Sequence, residues 1–180
     1  MNDYFKSKGY LEGGIITNSQ QQRIDMRALP SILRVLLVTD GTVTKTLEAY
    51  YWEPIRVTEV EQQEIILAED NEKLSASKGE ALLKRSIKLM GENSAQCYAK
   101  ADSLIRLQQL PKTIRQKLVS GEIGIGELLR ESGLETYRKL IDIGEKEAGT
   151  IYRSYQIIID HVPAILVTEY FSTTVYQKNK

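Results

Sequence analysis

Two stretches of this chain alternate apolar and polar residues regularly enough that their exceptions carry information. In residues 82–90 the odd positions are Leu83, Arg85, Ile87 and Leu89, while the even ones include Lys84, Ser86 and Lys88. Successive side chains of a strand point to opposite faces, so Arg85 is a cation on the face that should turn inward. Residues 164–172 repeat the anomaly with opposite sign. Ile165, Val167, Glu169 and Phe171 share a face, which sets a carboxylate among apolar neighbours. Buried charges are costly unless paired or used. Together they point to a small enclosed site that binds an anion and moves a proton.

Each stretch belongs to a predicted hairpin. Residues 82–90 return through 95–105, and residues 152–160 return through 164–172 after a turn at His161, Val162 and Pro163. The arm 95–105 has one small face (Ala95, Cys97, Ala99, Ala101, Ser103) and one larger, mostly polar face (Gln96, Tyr98, Lys100, Asp102). The small face should share a side with Arg85. It leaves room either for a ligand or for larger side chains from covering helices.

Elsewhere the signals are shorter. Residues 1–22 read as irregular or loosely attached, and 23–29 as a possible short helix. Ser31 could cap a nearly all-apolar, buried helix over 32–38. Residues 39–42 break it, with Gly41 free to take positive φ, and Thr42 or Thr44 could cap the next helix. Residues 55–67 read as a long strand and 68–80 as a polar linker. A helix over 111–119 carries Pro111 in its first turn. After Gly121, Gly124 and Gly126, a short helix over 126–131 closes at Gly133, and free N–H groups at its start could cradle an anion. Residues 134–144 favour strand over helix, 144–149 turn the chain, and the tail from Tyr176 should fray. About six strands dominated by hairpins make an α+β domain on an antiparallel sheet.

Composition narrows the chemistry. With 180 residues one domain is the simplest division, and 24 basic against 24 acidic residues leave no field to attract nucleic acid or an anionic membrane. One cysteine, Cys97, and one histidine, His161, exclude an internal disulfide and a thiol or imidazole metal cluster. No apolar run reaches the roughly 20 residues of a membrane span, and the first residues lack a signal-peptide core. A cytoplasmic protein using neither metal nor thiol is expected.

Arg85 is the sharpest candidate, because a planar guanidinium facing inward can grip a carboxylate bidentately. It could instead pair internally with Glu169, or a one-residue register slip could turn it to solvent and bring Lys84 inward. Glu169 in an apolar pocket suits general acid or base work. Arg153 shares a strand face with Ile151, Tyr155, Ile157 and Ile159 and is expected to snorkel to solvent from a strand end. Lys100 reads as solvated, His161 as a turn residue, Asp40 as a turn-fixing side chain, and Cys97 as a small core residue.

The ordered set LLVTDGTVTKTLE (36–48), LLKRSIKLM (82–90), GIGELL (124–129), IDIG (141–144) and ILVTEYF (165–171) resembles the chorismate pyruvate-lyase family, in its divergent archaeal and mycobacterial branch. The likeness runs over residues 31–175. It implies a single domain over 31–176 behind an N-terminal extension (1–30): a six-stranded antiparallel sheet whose helical flaps enclose a buried site. The implied activity is conversion of chorismate to 4-hydroxybenzoate and pyruvate without metal or organic cofactor. In that likeness Arg85 grips the ring carboxylate, a backbone N–H at Ile125 and Gly126 assists, and Glu169 meets the ring hydroxyl. Val43, where family members often carry Met, covers the ligand. Arg138 and the backbone near Thr42 to Thr44 are candidates for the enolpyruvyl carboxylate. The competing class is a non-catalytic binder of small acids with the same fold, such as the effector domains of GntR-type repressors. No winged-helix segment is expected before residue 31.

Overall fold

The computed structural model of the chain describes residues 14–120 and 124–177. In chain order the elements are strands β1 (Ile15–Thr17) and β2 (Arg23–Asp25), and helices α1 (Ser31–Val38) and α2 (Val43–Tyr51). Strands β3 (Ile55–Ile66), β4 (Ala81–Gly91) and β5 (Cys97–Ile105) follow, then helices α3 (Lys112–Ser120) and α4 (Ile125–Glu131). Strands β6 (Thr136–Glu147), β7 (Thr150–Ile159) and β8 (Val162–Ser172) precede the short helix α5 (Thr173–Gln177). Strands β3 to β8 form one six-stranded sheet in the order β3-β4-β5-β8-β7-β6, antiparallel throughout. The expected α+β class and six-stranded antiparallel sheet hold, with the ribbon β1–β2 in addition.

One face of this sheet carries the odd positions of β4 and β8, and two apolar clusters cover it from opposite ends. Leu33, Leu36 and Leu37 of α1 and Val43 and Leu47 of α2 pack with Leu89, Ile143, Ile151 and Phe171. Ile114 and Leu118 of α3 and Leu128 and Leu129 of α4 pack with Leu83, Ile105, Ile157 and Ile165. Such burial supplies the main drive to fold. Between the clusters the sheet presents its charged rows to a space that neither helix pair fills.

Several boundaries differ from the sequence reading. The final hairpin turns at Asp160 and His161 alone, both at positive φ (47° and 65°), the two-residue geometry that matches strand twist; Val162 and Pro163 already belong to β8. Strand β6 runs on to Glu147, and Gly149 at φ +80° makes the turn that had been expected from residue 144. Gly41 takes no left-handed φ; the helix break is a turn in which the Thr39 hydroxyl accepts the Gly41 N–H at 3.2 Å. Pro30, not Ser31, stands at the α1 cap position, and Val35 and Val38 face outward at about half exposure.

Segments expected to be loose are partly docked. Strands β1 and β2 pair as a ribbon, with Ile16, Ile24 and Met26 in the α1–α2 cluster, so residues 14–22 are attached; residues 1–13 lie outside the described part. The segment 68–80 buries Leu74 and Ala76 against Leu82 on the other sheet face. Tyr176 is buried and donates to the Tyr98 carbonyl instead of fraying; the tail beyond residue 177 and the Gly121 position are outside the described residues.

Glu53 closes the β4–β5 turn. Its carboxylate accepts the Asn93 and Ser94 N–H groups at 3.0 Å, the Ser94 hydroxyl at 2.7 Å and the Tyr98 hydroxyl. The Tyr98 donor foremost, then Ser94, holds the Glu53 pKa down at about 2 against an ordinary 4.5. The folded value lies below the unfolded one, so this contribution is present above pH 4.5 and fades as pH falls toward about 2. Thermal melts over that window are expected to show a falling midpoint, with a shallower pH slope for Glu53→Gln. Equal slopes would rule Glu53 out as a source of acid lability.

Candidate active site

Sheet register assembles the site. Arg85 lies opposite Ser103, Ser103 opposite Val167, and Val167 opposite Tyr155. One row along, Ile87, Ala101, Glu169 and Arg153 are successive partners. These two rows cross β4, β5, β8 and β7 on the covered face. Above them two backbone flaps meet, the α1–α2 connection at 41–44 and the start of α4 at 124–126, and together they enclose a cavity of about 60 Å³. That volume holds a few water molecules and is well below the several hundred Å³ of an open ligand pocket.

The cavity wall is mostly apolar or backbone: Val43, Ile87, Leu89, Ala101, Ile157 and Val167 contribute, as do the three flap positions Gly124, Ile125 and Gly126. Among the described lining residues one is an acid, Glu169, and one a cation, Arg138. Glu169 is 7% exposed, and each of its oxygens meets a donor from β7. Arg153 Nε donates to Oε2 at 2.6 Å, and the Tyr155 hydroxyl donates to Oε1 at 3.1 Å. Burial opposes the Arg153 charge, but the Glu169 carboxylate outweighs it and raises the guanidinium pKa above its ordinary value. Burial first, then the same carboxylate, pushes the Tyr155 hydroxyl well above its usual range, so it stays a donor.

Arg138 reaches from β6 between the flaps. Its Nη1 donates to the Asp40 carbonyl at 2.6 Å, and its buried Nε has no hydrogen-bond partner among the described residues. A Cβ on Gly126 would stand 3.3 Å from Thr42 Cγ2 and 3.5 Å from Arg138 Nη2, so glycine lets the second flap close onto the first. Arg85 is 1% exposed and sits at the cavity margin, beside Ile87 and Ser103, which line it. Burial lowers its pKa from the ordinary guanidinium value.

A family model described as "Chorismate pyruvate-lyase Rv2949c-like" matches residues 37–178. The chain belongs to that family. The chorismate pyruvate-lyase of Mycobacterium leprae is 32% identical over 176 residues, covering 90% of this chain and 84% of that protein. The Mycobacterium tuberculosis protein of the same name is 27% identical over 173 residues, covering 85% of each. Among solved structures, PhnF from Mycobacterium smegmatis superposes with a TM-score of 0.54 at 13% identity, over 76% of this chain and 66% of that one; this is a likeness of fold alone.

Every residue that the chorismate pyruvate-lyase resemblance singled out lies at this one place. Val43, Thr44, Ile125, Gly126, Arg138 and Glu169 line the cavity, and Arg85 borders it. The small face of β5 opens onto it through Ala101 and Ser103, with room left unfilled above them. An internal Arg85–Glu169 pair does not form; the ion pair of Glu169 is with Arg153.

Sequence reasoning placed Arg153 wrongly. It is 2% exposed, not solvated, because it lies directly opposite Glu169. A two-residue turn alone would pair Arg153 with Thr168. A bulge between Ile157 and Ile158, at Pro163, shifts the register by one, and a one-residue shift exchanges faces. Pro163 lacks the N–H that an unbroken ladder needs, which is why proline in a sheet falls at such a bulge; it was the available signal. A second bulge, between Leu89 and Met90, leaves Tyr98 unpaired and puts Cys97 opposite Met90. Cys97 therefore sits partly buried on the other face with Lys100, not in the core. His161 is confined to its turn. Asp40 contributes its backbone carbonyl to Arg138, a role its side chain did not suggest. Among the described residues no helix is long and apolar enough to cross a membrane.

Proposed function

We propose that the cavity binds chorismate and eliminates pyruvate from it, leaving 4-hydroxybenzoate. The observation carrying this reading is a carboxylate, Glu169, the one acid among the described lining residues, held by two donors in an apolar chamber that two further arginines, Arg85 and Arg138, approach from different strands. Family membership gives the reading its substrate.

Chorismate is a ring with two carboxylates, one on the ring and one on the enolpyruvyl ether. Arg85 grips the ring carboxylate, assisted by the backbone at Ile125 and Gly126, and Arg138 with the Val43–Thr44 backbone takes the enolpyruvyl carboxylate. Glu169 then faces the hydroxyl-bearing carbon C4. The C4–H bond breaks as the C3–O bond breaks, and the proton ends on the departing enolpyruvate, which becomes pyruvate. Aromatisation drives the step. It is redox-neutral, so orientation, a proton carrier and anion binding suffice. The same reading keeps the protein in the cytoplasm and apart from nucleic acid, in line with its formal net charge of zero.

The test is to incubate the protein with chorismate and follow 4-hydroxybenzoate in the ultraviolet. Release of 4-hydroxybenzoate and pyruvate in equal amounts is expected. Chorismate bound but returned unchanged would make the chain a small-acid binder instead.

A further inference from the structure

We infer that Arg153 is a positioning residue: it holds the Glu169 carboxylate in its working orientation and ties that orientation to a seated flap. The inference rests on the function proposed above and adds a residue which neither composition nor the family likeness marked.

Arg153 does not line the cavity, so it acts on a guest through what it holds. Its Nε donates to Glu169 Oε2 at 2.6 Å, while Nη1 of the same guanidinium donates to the Thr39 carbonyl at 2.7 Å. Thr39 is the residue directly after α1, at the root of the first flap. The guanidinium is rigid and planar, so two of its donors fix the separation of acid and flap. Its Cζ lies 4.9 Å from the centre of the Tyr155 ring, and the Tyr155 hydroxyl takes the other Glu169 oxygen. A glutamate alone on a strand samples several rotamers. With a donor on each oxygen, and one donor braced against the flap, a single rotamer remains. A lysine could supply the charge but not both contacts.

Charged and titratable groups around Glu169 come from several elements: Arg153 and Tyr155 from β7, Arg138 from β6, Arg85 from β4 and Tyr176 from α5. Strand β5 offers only Ala101 and Ser103 there, and the flaps present Thr42, Val43, Thr44, Ile125 and Gly126 to the cavity, none of them charged. Of these groups Arg153 alone joins the acid to a flap.

Steady-state kinetics with chorismate separates positioning from substrate binding and from bulk stability. For Arg153→Gln, kcat is expected to fall about 10²-fold, the cost of a small misplacement, with KM within about threefold of wild type. Arg153→Lys should recover roughly tenfold of that loss, since it restores charge without the fork. On a Glu169→Gln background, Arg153→Gln should cost nothing further, because residues acting as a unit are not additive. An unchanged kcat in folded Arg153→Gln overturns the inference. So does a raised KM at constant kcat, which would mean direct contact with substrate, or a double variant slower than Glu169→Gln alone. If Arg153→Gln loses its circular-dichroism signature, Arg153→Lys decides: kcat about tenfold below wild type supports positioning, and a wild-type kcat overturns it. A wild-type protein that releases no 4-hydroxybenzoate overturns the functional reading and this inference with it; an active wild type beside an unaffected Arg153→Gln overturns this inference alone.

Discussion

The Glu169→Gln variant is expected to turn chorismate over about 10²–10⁴-fold more slowly than wild type, the range that a lost general acid–base group costs. Glutamine keeps the shape of the side chain and one oxygen to accept from Arg153 or Tyr155, so the cavity wall survives. What it cannot do is carry a proton between C4 and the leaving group. No other acid is available at the described cavity wall, hence the size of the effect. Glu169→Ala tests a different quantity. It would strand Arg153, 2% exposed, without its counter-ion, and breaking a buried pair from one side costs about 3–5 kcal/mol. That variant should lose stability as well as turnover, whereas the glutamine variant should lose chiefly turnover. A Glu169→Gln protein releasing 4-hydroxybenzoate at the wild-type rate would remove Glu169 from the chemistry.

The charged rows were legible because strands signal by exception. Arg85 between Leu83 and Ile87, and Glu169 between Val167 and Phe171, break alternations that the rest of each strand upholds, and burial at 1% and 7% follows. Alternation gives the face of a residue within its own strand. It does not give the partner across the ladder, which turn length and bulges set. Arg153 shows the difference: its face was read correctly and its fate wrongly, because the bulge at Pro163 decides that Glu169 stands opposite. Cys97 shows the same failure in β5, where the bulge at Tyr98 carries the small-residue pattern to the other face below Ala99.

The covering segments were harder to read for a different reason. Each buries only two or three apolar side chains, as Leu74 and Ala76 do in the stretch 68–80, or Ile16, Ile24 and Met26 around the ribbon. Spread among polar residues, so few side chains give no period. The flaps present the same difficulty, since their contribution is partly main chain: Gly41, Gly124 and Gly126 line the cavity, and the Thr39 and Asp40 carbonyls hold Arg153 and Arg138. Backbone groups leave little trace in sequence beyond the glycine that permits their approach. Here the family likeness supplied what periodicity could not, by marking Ile125, Gly126 and Val43.

Arg85→Ala should show its largest effect in binding. The affinity for 4-hydroxybenzoate is expected to drop about 10²-fold, in keeping with the roughly 2–5 kcal/mol lost when one partner of a buried charge pair is truncated. Arg85 is buried on β4 beside the small residues Ala101 and Ser103 of β5, so a carboxylate placed over those residues is within reach of its planar fork. Ring carboxylate is common to substrate and product and does not change charge in the reaction. A group that holds it binds ground state and transition state alike, which predicts a raised KM with kcat much less affected. Glu169→Gln should show the reverse pattern, and the contrast separates the two roles within one assay. Arg85→Lys belongs between wild type and Arg85→Ala, because an ammonium keeps the charge but offers one point of contact. Titrating each variant with 4-hydroxybenzoate by calorimetry reads the affinity without turnover. An Arg85→Ala protein that is folded and binds product as tightly as wild type would leave Arg85 a structural residue, and the ring carboxylate would need another partner.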